Sequence, residues 1–482
     1  MRPKNDKGRF GIRVLLSVGL GTFMSALDAS VVNTVLPVIR EAYHAPVGTI
    51  QWVVTTYLLV MGGLLLTFGR MGDLRGHKRL YLSGFLVFLP ASVLCGVSPS
   101  VGGLIAARVL QGAGAAILVS NAPAILMGSV HPSRLGQALG LQAAMTSLGL
   151  ALGPSLGGWL TDLWGWRVIF FLNLPVGAVA FLLGLRHIGE DRRTPSREES
   201  FDGIGASLFL GAFFALQVGL SRGDVWGWGS AATVGAFAGS GALGYLFVRR
   251  EAAAGSPMLD LSLFKSRLFS FAVVSALVNY VCMASVLFLV PFYLIQGRGL
   301  SAAKAGIVMT AQFLAMSATA PVSGMIADRV GSRAPATVGM ALLAGGLFLL
   351  SAMGGGSPLY LVAISLTVTG LGMAIFVTPN NSAMLGAAPT GRKGIASGIL
   401  ATSRLLGMAT GVSIAGAILV AVVGDGATHG ISPDRLFRAV HLGLFAAGVM
   451  ASAGTFLTAA RGEGSARGSR LPEKPASAEE NV

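Results

Sequence analysis

Apolar positions along this chain come in long runs of about 17 to 29 residues, parted by short polar breaks. Runs of that length suit helices that cross a membrane, and their continuity excludes the period-two alternation of β-barrel strands. The runs cover residues 12–37, 49–68, 80–97, 101–126, 138–160 and 168–185, then 204–220 and 231–248, then 269–295, 305–327, 336–353, 359–377, 395–423 and 437–460. The pattern predicts an all-α polytopic membrane protein of fourteen spans, grouped six, two and six. Its divisions are a cytoplasmic N-terminus (1–11), a six-helix bundle (12–185), a cytoplasmic linker (186–203), two inserted spans (204–248), a second cytoplasmic linker (249–268), a second six-helix bundle (269–460) and a disordered cytoplasmic tail (461–482).

Composition agrees with the pattern. With 53% hydrophobic and 11% charged residues and a mean hydropathy of +0.71, the chain is too apolar for water-soluble domains. A net charge of +15 would point to nucleic acid in a soluble protein. Here about 26 of the 35 Lys and Arg fall on one side of the spans and about 7 on the other, which makes the rich side cytoplasmic and the partner a lipid bilayer. Both termini then lie in the cytoplasm. The N-terminal basic residues precede an apolar run too long for a signal-peptide core, so the run reads as an uncleaved first span. Trp226 and Trp228 fall in an outer loop suited to the interfacial belt. The two cysteines, Cys95 and Cys282, both lie in apolar runs and give no disulfide framework.

The first span carries the sharpest chemical signal, Asp28 in LDASVVNTVLP. A carboxyl at that depth costs about 2.5 to 3.5 kcal/mol on insertion scales, so it reads as functional, against the plainer alternative of a packing or pairing role. Arg108, in RVLQGAGAA of the fourth span, falls at a similar depth, with Gln111 on the same helical face. A charged pair or water-bridged relay with Asp28, or bonding of Arg108 to backbone carbonyls alone, satisfies it.

The two six-span blocks repeat one another. GRMGDLRGHKR, with Gly69, Asp73, Arg75, Gly76, Lys78 and Arg79, aligns at an offset of 255 with GMIADRVGSR, with Asp328, Arg329, Gly331 and Arg333. Leu36-Pro37 meets Val290-Pro291 at 254, and Gly149 and Gly153 meet Gly407 and Gly411 at 258. Parallel repeats of this kind build many secondary transporters, with the site between the halves. The Asp73 and Asp328 segments read as tight cytoplasmic turns, with Asp73 placed to take backbone N–H groups at a helix start. Gly149, Gly153 and Gly157, flanked by Pro154 and Gly158, give span five a smooth face for close helix contact. In span two Gln51, Thr55, Trp52 and Tyr57 form a polar and aromatic wall that either lines a pocket or bonds neighbouring helices. Arg404 in span thirteen has no acid in a neighbouring span, leaving snorkelling and coupling both open. Gly219 to Gly223 imitates a nucleophile elbow but follows an apolar helix, and residues 386–393 only approach a phosphate-binding loop. With no metal-ligand or haem spacing, the sequence predicts neither an enzyme nor a cofactor.

In order along residues 10–460, LDASVVNTVLP, QWVVTTYLL, GRMGDLRGHKR, RVLQGAGAA, GLALGPSLGGWL and WGWRVIFFLNLPVG together resemble the fourteen-helix drug:proton antiporters of the major facilitator superfamily. The resemblance implies two six-helix bundles with two inserted helices, rocking about a central cavity, in a monomer that exports lipophilic or amphipathic compounds in exchange for protons. It implies proton coupling at Asp28 and Arg108, a substrate cavity including Asn33, Gln51, Thr55, Tyr57 and Gln111, cytoplasmic gates at the Asp73 and Asp328 segments, and an antiporter packing motif in span five. A dedicated exporter of one natural product or an importer of a small metabolite would share the architecture. The repeat sets Asp28 opposite Cys282 or Met283, and no acid lies inside any span of the second half, which speaks against divalent cationic substrates.

Overall fold

A computed structural model describes residues 6–131, 134–189, 202–254, 259–389, 392–424 and 432–461. The expectations for the extreme N-terminus, for most of the first linker and for the tail beyond 461 lie outside these residues. All regular structure among the described residues is helical, and fourteen helices are long and apolar enough to cross a membrane. Their main helical segments are α1 (Asp6–Ala42), α2 (Trp52–Arg75), α3 (His77–Val97), α4 (Val101–Ser129), α5 (Leu135–Trp164), α6 (Asn173–His187, its span beginning with the turn Val168–Phe171), α7 (Gly203–Trp226), α8 (Ala231–Ala253), α9 (Arg267–Pro291), α10 (Ala302–Val330), α11 (Arg333–Ser351), α12 (Leu359–Ala387), α13 (Lys393–Val423) and α14 (Pro433–Ala460).

Several helices run past their apolar runs because hydrogen bonding, not hydropathy, sets their ends. Side-chain caps from Ser100, Asp202, Ser230, Ser266 and Ser301 start α4, α7, α8, α9 and α10. Gly76 (φ 100°) and Gly331 (φ 84°) turn the chain after α2 and α10, in the left-handed region that only glycine enters without strain. They stand 255 residues apart, in the register of the repeat. We call the end of the molecule that carries these turns the gate-loop end.

Helix neighbours repeat as well. In the first six helices α1 packs on α4, α5 and α6, while α4 packs on α2 and α3; in the last six, α9 packs on α12, α13 and α14, while α12 packs on α10 and α11. The halves meet through α5 on α10 and α2 on α13, pairings that exchange under the repeat. The inserted α7 packs on α8, and also on α2 of the first half and α13 of the second. A seam of neutral side chains holds it there: Gln51 Nε2 donates to the Ser221 carbonyl at 3.4 Å, Ser221 Oγ to Ser413 Oγ at 3.1 Å, Ser413 Oγ to Gln217 Oε1 at 2.6 Å, and Gln217 Nε2 to Thr410 Oγ1 at 3.2 Å.

The hydrogen bonds and the close glycine contacts between α5 and α10 lie toward the far end. Asp162, near the end of α5, accepts from the Ala302 and Ala303 N–H groups at 3.1 and 3.0 Å, capping α10 from across the interface. Gly158 faces the Ala302 carbonyl and Gly306 the Pro154 carbonyl, each close enough that a Cβ would collide. Gln296 Nε2 adds a bond to the Pro37 carbonyl at 3.2 Å. Toward the gate-loop end, Ala138 is the one buried residue of α5 before Gly149, and Ser323 is the one buried residue of α10 after Phe313. A cleft between the halves therefore opens at the gate-loop end on the α5 and α10 side.

One expectation needs correction. Arg461 belongs to the folded body and not to a disordered tail: it is fully buried, with Nη1 donating to Asn380 Oδ1 and Nη2 to the Ser332 carbonyl, both at 2.6 Å.

Candidate functional site

Asp28 lies in the middle of α1 and is 3% exposed; Arg108 on α4 is fully buried, and its Nη1 meets Asp28 Oδ2 at 2.5 Å. Of the readings open to Arg108, the direct charged pair is present, and a backbone bond accompanies it: Nε donates to the Val53 carbonyl at 3.0 Å. Nη1 also reaches Gln111 Oε1 at 2.7 Å, and the guanidinium stacks 4.1 Å from the Tyr57 ring centre. The remaining nitrogen, Nη2, has no hydrogen-bond partner. A buried ion pair survives only where further hydrogen bonds offset desolvation, and here the pair is wrapped in them.

The other carboxylate oxygen is held by amides. Gln111 Nε2 and Asn173 Nδ2, the latter from the first turn of α6, both donate to Asp28 Oδ1 at 2.9 Å. Both amides also donate to Ser92 Oγ on α3, at 3.2 and 2.9 Å, and Ser92 in turn donates to the Phe170 carbonyl at 2.8 Å. Cys95 Sγ completes the cluster, 3.4 Å from Gln111 Oε1. The carboxylate thus accepts from three side-chain donors, the arrangement that suits its ionised form. Asn173 and Ser92 were not singled out from the sequence. Their signal was a polar side chain inside an apolar run, which many helix-packing residues share. All of these partners come from the first half, so the hydrogen bonds of Asp28 close within one bundle.

The wall expected on span two divides. Tyr57, whose hydroxyl donates to the Ser25 carbonyl at 3.4 Å, and Gln111 belong to the Asp28 cluster. Gln51 instead faces α7 and α13, and Trp52 leans on Phe214 of α7. Asn33 donates to the Ala29 carbonyl at 2.8 Å; its Oδ1 and the Thr55 hydroxyl are buried without partners.

The gate segments also differ from expectation. Gly69, Gly72 and Asp73 are helical, in the last turns of α2, and Gly76 alone makes the turn. Asp73 pairs with His77 at 3.3 Å and Arg70 at 4.0 Å, and the helix reaches past it; His77 bonds Asn121 Oδ1 at 2.8 Å. Arg75 contacts Met71 Sδ at 3.7 Å, and Lys78 and Arg79 lie in the first turn of α3. In the second copy Asp328 and Arg329 are exposed, Gly331 turns, and Arg333 donates to the Ala459 carbonyl.

The glycine face of α5 serves two contacts. A Cβ at Gly149, Gly153 or Gly157 would lie 2.6, 2.5 or 2.7 Å from atoms of α1, whereas Gly158, beside Pro154, faces α10. Gly407 and Gly411 approach α9 in the same way. Arg404 is half-buried and makes no ion pair among the described residues.

The chain matches the family model described as Major Facilitator Superfamily over residues 18–301 and 268–480. It is similar to the tetracenomycin C resistance and export protein of Streptomyces glaucescens, 33% identical over 87% of this chain and 77% of that one. The riboflavin transporter RibZ of Clostridioides difficile is 33% identical over 83% and 86%, and the multidrug resistance protein Stp of Mycobacterium tuberculosis 33% over 86% and 76%. Among solved structures, a bacterial homolog of the human lysosomal transporter Spinster, inward-facing and unoccupied, shares the fold with a TM-score of 0.68 at 16% identity, over 95% of this chain and 98% of its own. The human organic anion transporter MFSD10 does so with a TM-score of 0.63 at 17% identity, over 93% and 99%. By sequence match, by fourteen spanning helices and by fold, this chain belongs to the Major Facilitator Superfamily, a family of membrane transporters and not of enzymes.

Proposed function

We propose that the protein is a proton-coupled antiporter, acting as a monomer, that exports lipophilic or amphipathic drugs or antibiotics across the cytoplasmic membrane by alternating access. The gate-loop end and both termini face the cytoplasm in this reading, as the excess of Lys and Arg on that side supports. The observation that carries it is the fully buried Asp28 and Arg108 pair, an acid whose charge is tied to a cation inside a bundle that must move. Protonation of Asp28 removes the partner charge of Arg108, which then keeps Gln111, the Val53 carbonyl and the Tyr57 face. An ionised Asp28 together with a cleft open at the gate-loop end fits a state that has released its proton to the cytoplasm and awaits substrate. Because the hydrogen bonds of the buried Asp28 all close within the first bundle, substrate and proton would compete through the position of Arg108 and Tyr57, not by touching one carboxylate.

Curated relatives named for tetracenomycin C export and for multidrug resistance support drug export, and a dedicated exporter of one natural product fits the same site. The relative named as a riboflavin transporter keeps transport of a small metabolite as the second reading. Inside-out vesicles with an acid interior, given a panel of lipophilic cations, neutral antibiotics and flavins, test the choice. Compounds that dissipate the gradient with wild type and not with Asp28→Asn support the antiporter. A response that survives in Asp28→Asn overturns it.

A further inference from the structure

Asp28 Oδ1 and Oδ2 stand in different surroundings. Oδ2 meets Arg108 Nη1, while Oδ1 meets the two amides, and each amide spends a second N–H on Ser92 Oγ. Ser92 accepts from both and donates its own proton to the Phe170 carbonyl, so it turns both amide planes toward Oδ1. Arg108 has other acceptors than Oδ2, in Gln111 Oε1 and the Val53 carbonyl, whereas the two amides bridge Oδ1 to Ser92 Oγ and so hold Oδ1 from a fixed point on α3.

We infer that Asn173, oriented by Ser92, is a positioning residue that keeps Asp28 Oδ1 hydrogen-bonded throughout the cycle, so that Oδ2 alone exchanges its ion pair with Arg108 for a proton. The inference rests on the reading of Asp28 as the proton carrier. The step balances simply: a proton from water bonds to Oδ2, the Nη1 contact to Oδ2 is lost, Arg108 remains a cation held by Gln111 Oε1 and the Val53 carbonyl, and the reverse step returns the proton to water on the other side. Asn173 is buried away from bulk water and its amide meets Asp28 Oδ1 and Ser92 Oγ, so its effect passes through Oδ1. Removing a donor that stabilises the carboxylate favours its protonated form, so the titration moves alkaline, by about one to two pH units for a hydrogen bond to a charged group.

Purified full-length protein, titrated by infrared difference spectroscopy, gives the carboxyl band of Asp28 as the signal absent in Asp28→Asn. In Asn173→Ala the midpoint of that band is expected to move alkaline by about one to two pH units, and in Ser92→Ala, where the amides remain but lose their orienting acceptor, by less in the same direction. Asn380→Ala, which deletes a buried amide of the second half that does not touch Asp28, serves as the control and leaves the midpoint unchanged. A midpoint in Asn173→Ala and Ser92→Ala that stays put or moves acid, with the Asp28 band intact, overturns the positioning role and leaves the antiporter reading standing. A wild-type protein with no titrating Asp28 band overturns both.

Discussion

At the scale of single residues the site depends on Arg108 having a fork and not a point charge. Nε and Nη1 engage Val53, Gln111 and Asp28 at once, which a lysine ammonium cannot reproduce in that plane. Arg108→Lys is expected to keep the charge and lose at least tenfold in substrate-driven proton flux in vesicles. Arg108→Ala strands a buried carboxylate and is expected to cost about 3 to 5 kcal/mol in thermal unfolding, whereas Asp28→Asn with Arg108→Gln recovers much of that stability without recovering transport. Asp28, Arg108 and Gln111 were legible because charge and amide inside apolar runs are expensive and rare. Ser92 and Asn173 were not, because a serine or asparagine in a membrane helix more often bonds a backbone carbonyl, as Asn33 does with Ala29. Only the convergence of α1, α3, α4 and α6 distinguishes the two cases.

Among helices, the sequence marked the α5 glycines as a packing face but could not divide it between α1 and α10, since both contacts use small residues at helical spacing. The division has a measurable consequence. Gly153→Val wedges α1 from α5 inside one bundle and is expected to lower expression and thermal stability. Gly158→Val pushes on the α10 backbone across the interface, so its effect should fall on the balance of conformations. Asp162→Ala removes the cap on α10 and acts on the same balance. Spin labels on exposed Trp164 and Lys304 are expected to report a longer or broader distance in Asp162→Ala than in wild type; an unchanged distribution would show that the cap does not hold this end shut. Helix ends escaped the apolar pattern for a related reason: glycines at 69 and 72 looked like a turn, yet α2 continues through them to the one glycine with positive φ, Gly76.

Over the whole molecule, fourteen spans and a repeat near offset 255 were visible in hydropathy and in matching short motifs, and the helix neighbours of the two halves follow that repeat. The chemistry does not. Where the first half holds Asp28, the second holds Cys282, whose thiol donates to the Ala447 carbonyl at 3.3 Å, and no acid bonds it among the described residues. If Asp28 alone carries the proton, one proton is exchanged per substrate. Export of a lipophilic monocation is then electroneutral and should not respond to membrane potential when the pH gradient is clamped, and a dication on the same scaffold should be exported at least tenfold less well.

The seam along α7 bears on how such a molecule can move. In the proposed alternating-access cycle α7, fastened to α2 of one half and α13 of the other, would be the knuckle of a door, and a door hung on one jamb swings from the opposite edge. That edge is the α5 and α10 side, where the leaves already stand ajar at one end and latched at the other. Traffic would then be one-sided: cargo, and any lipid tail that strays in with it, passes by the free edge, and chemical bolts placed there arrest the swing while bolts along the hinge line do not.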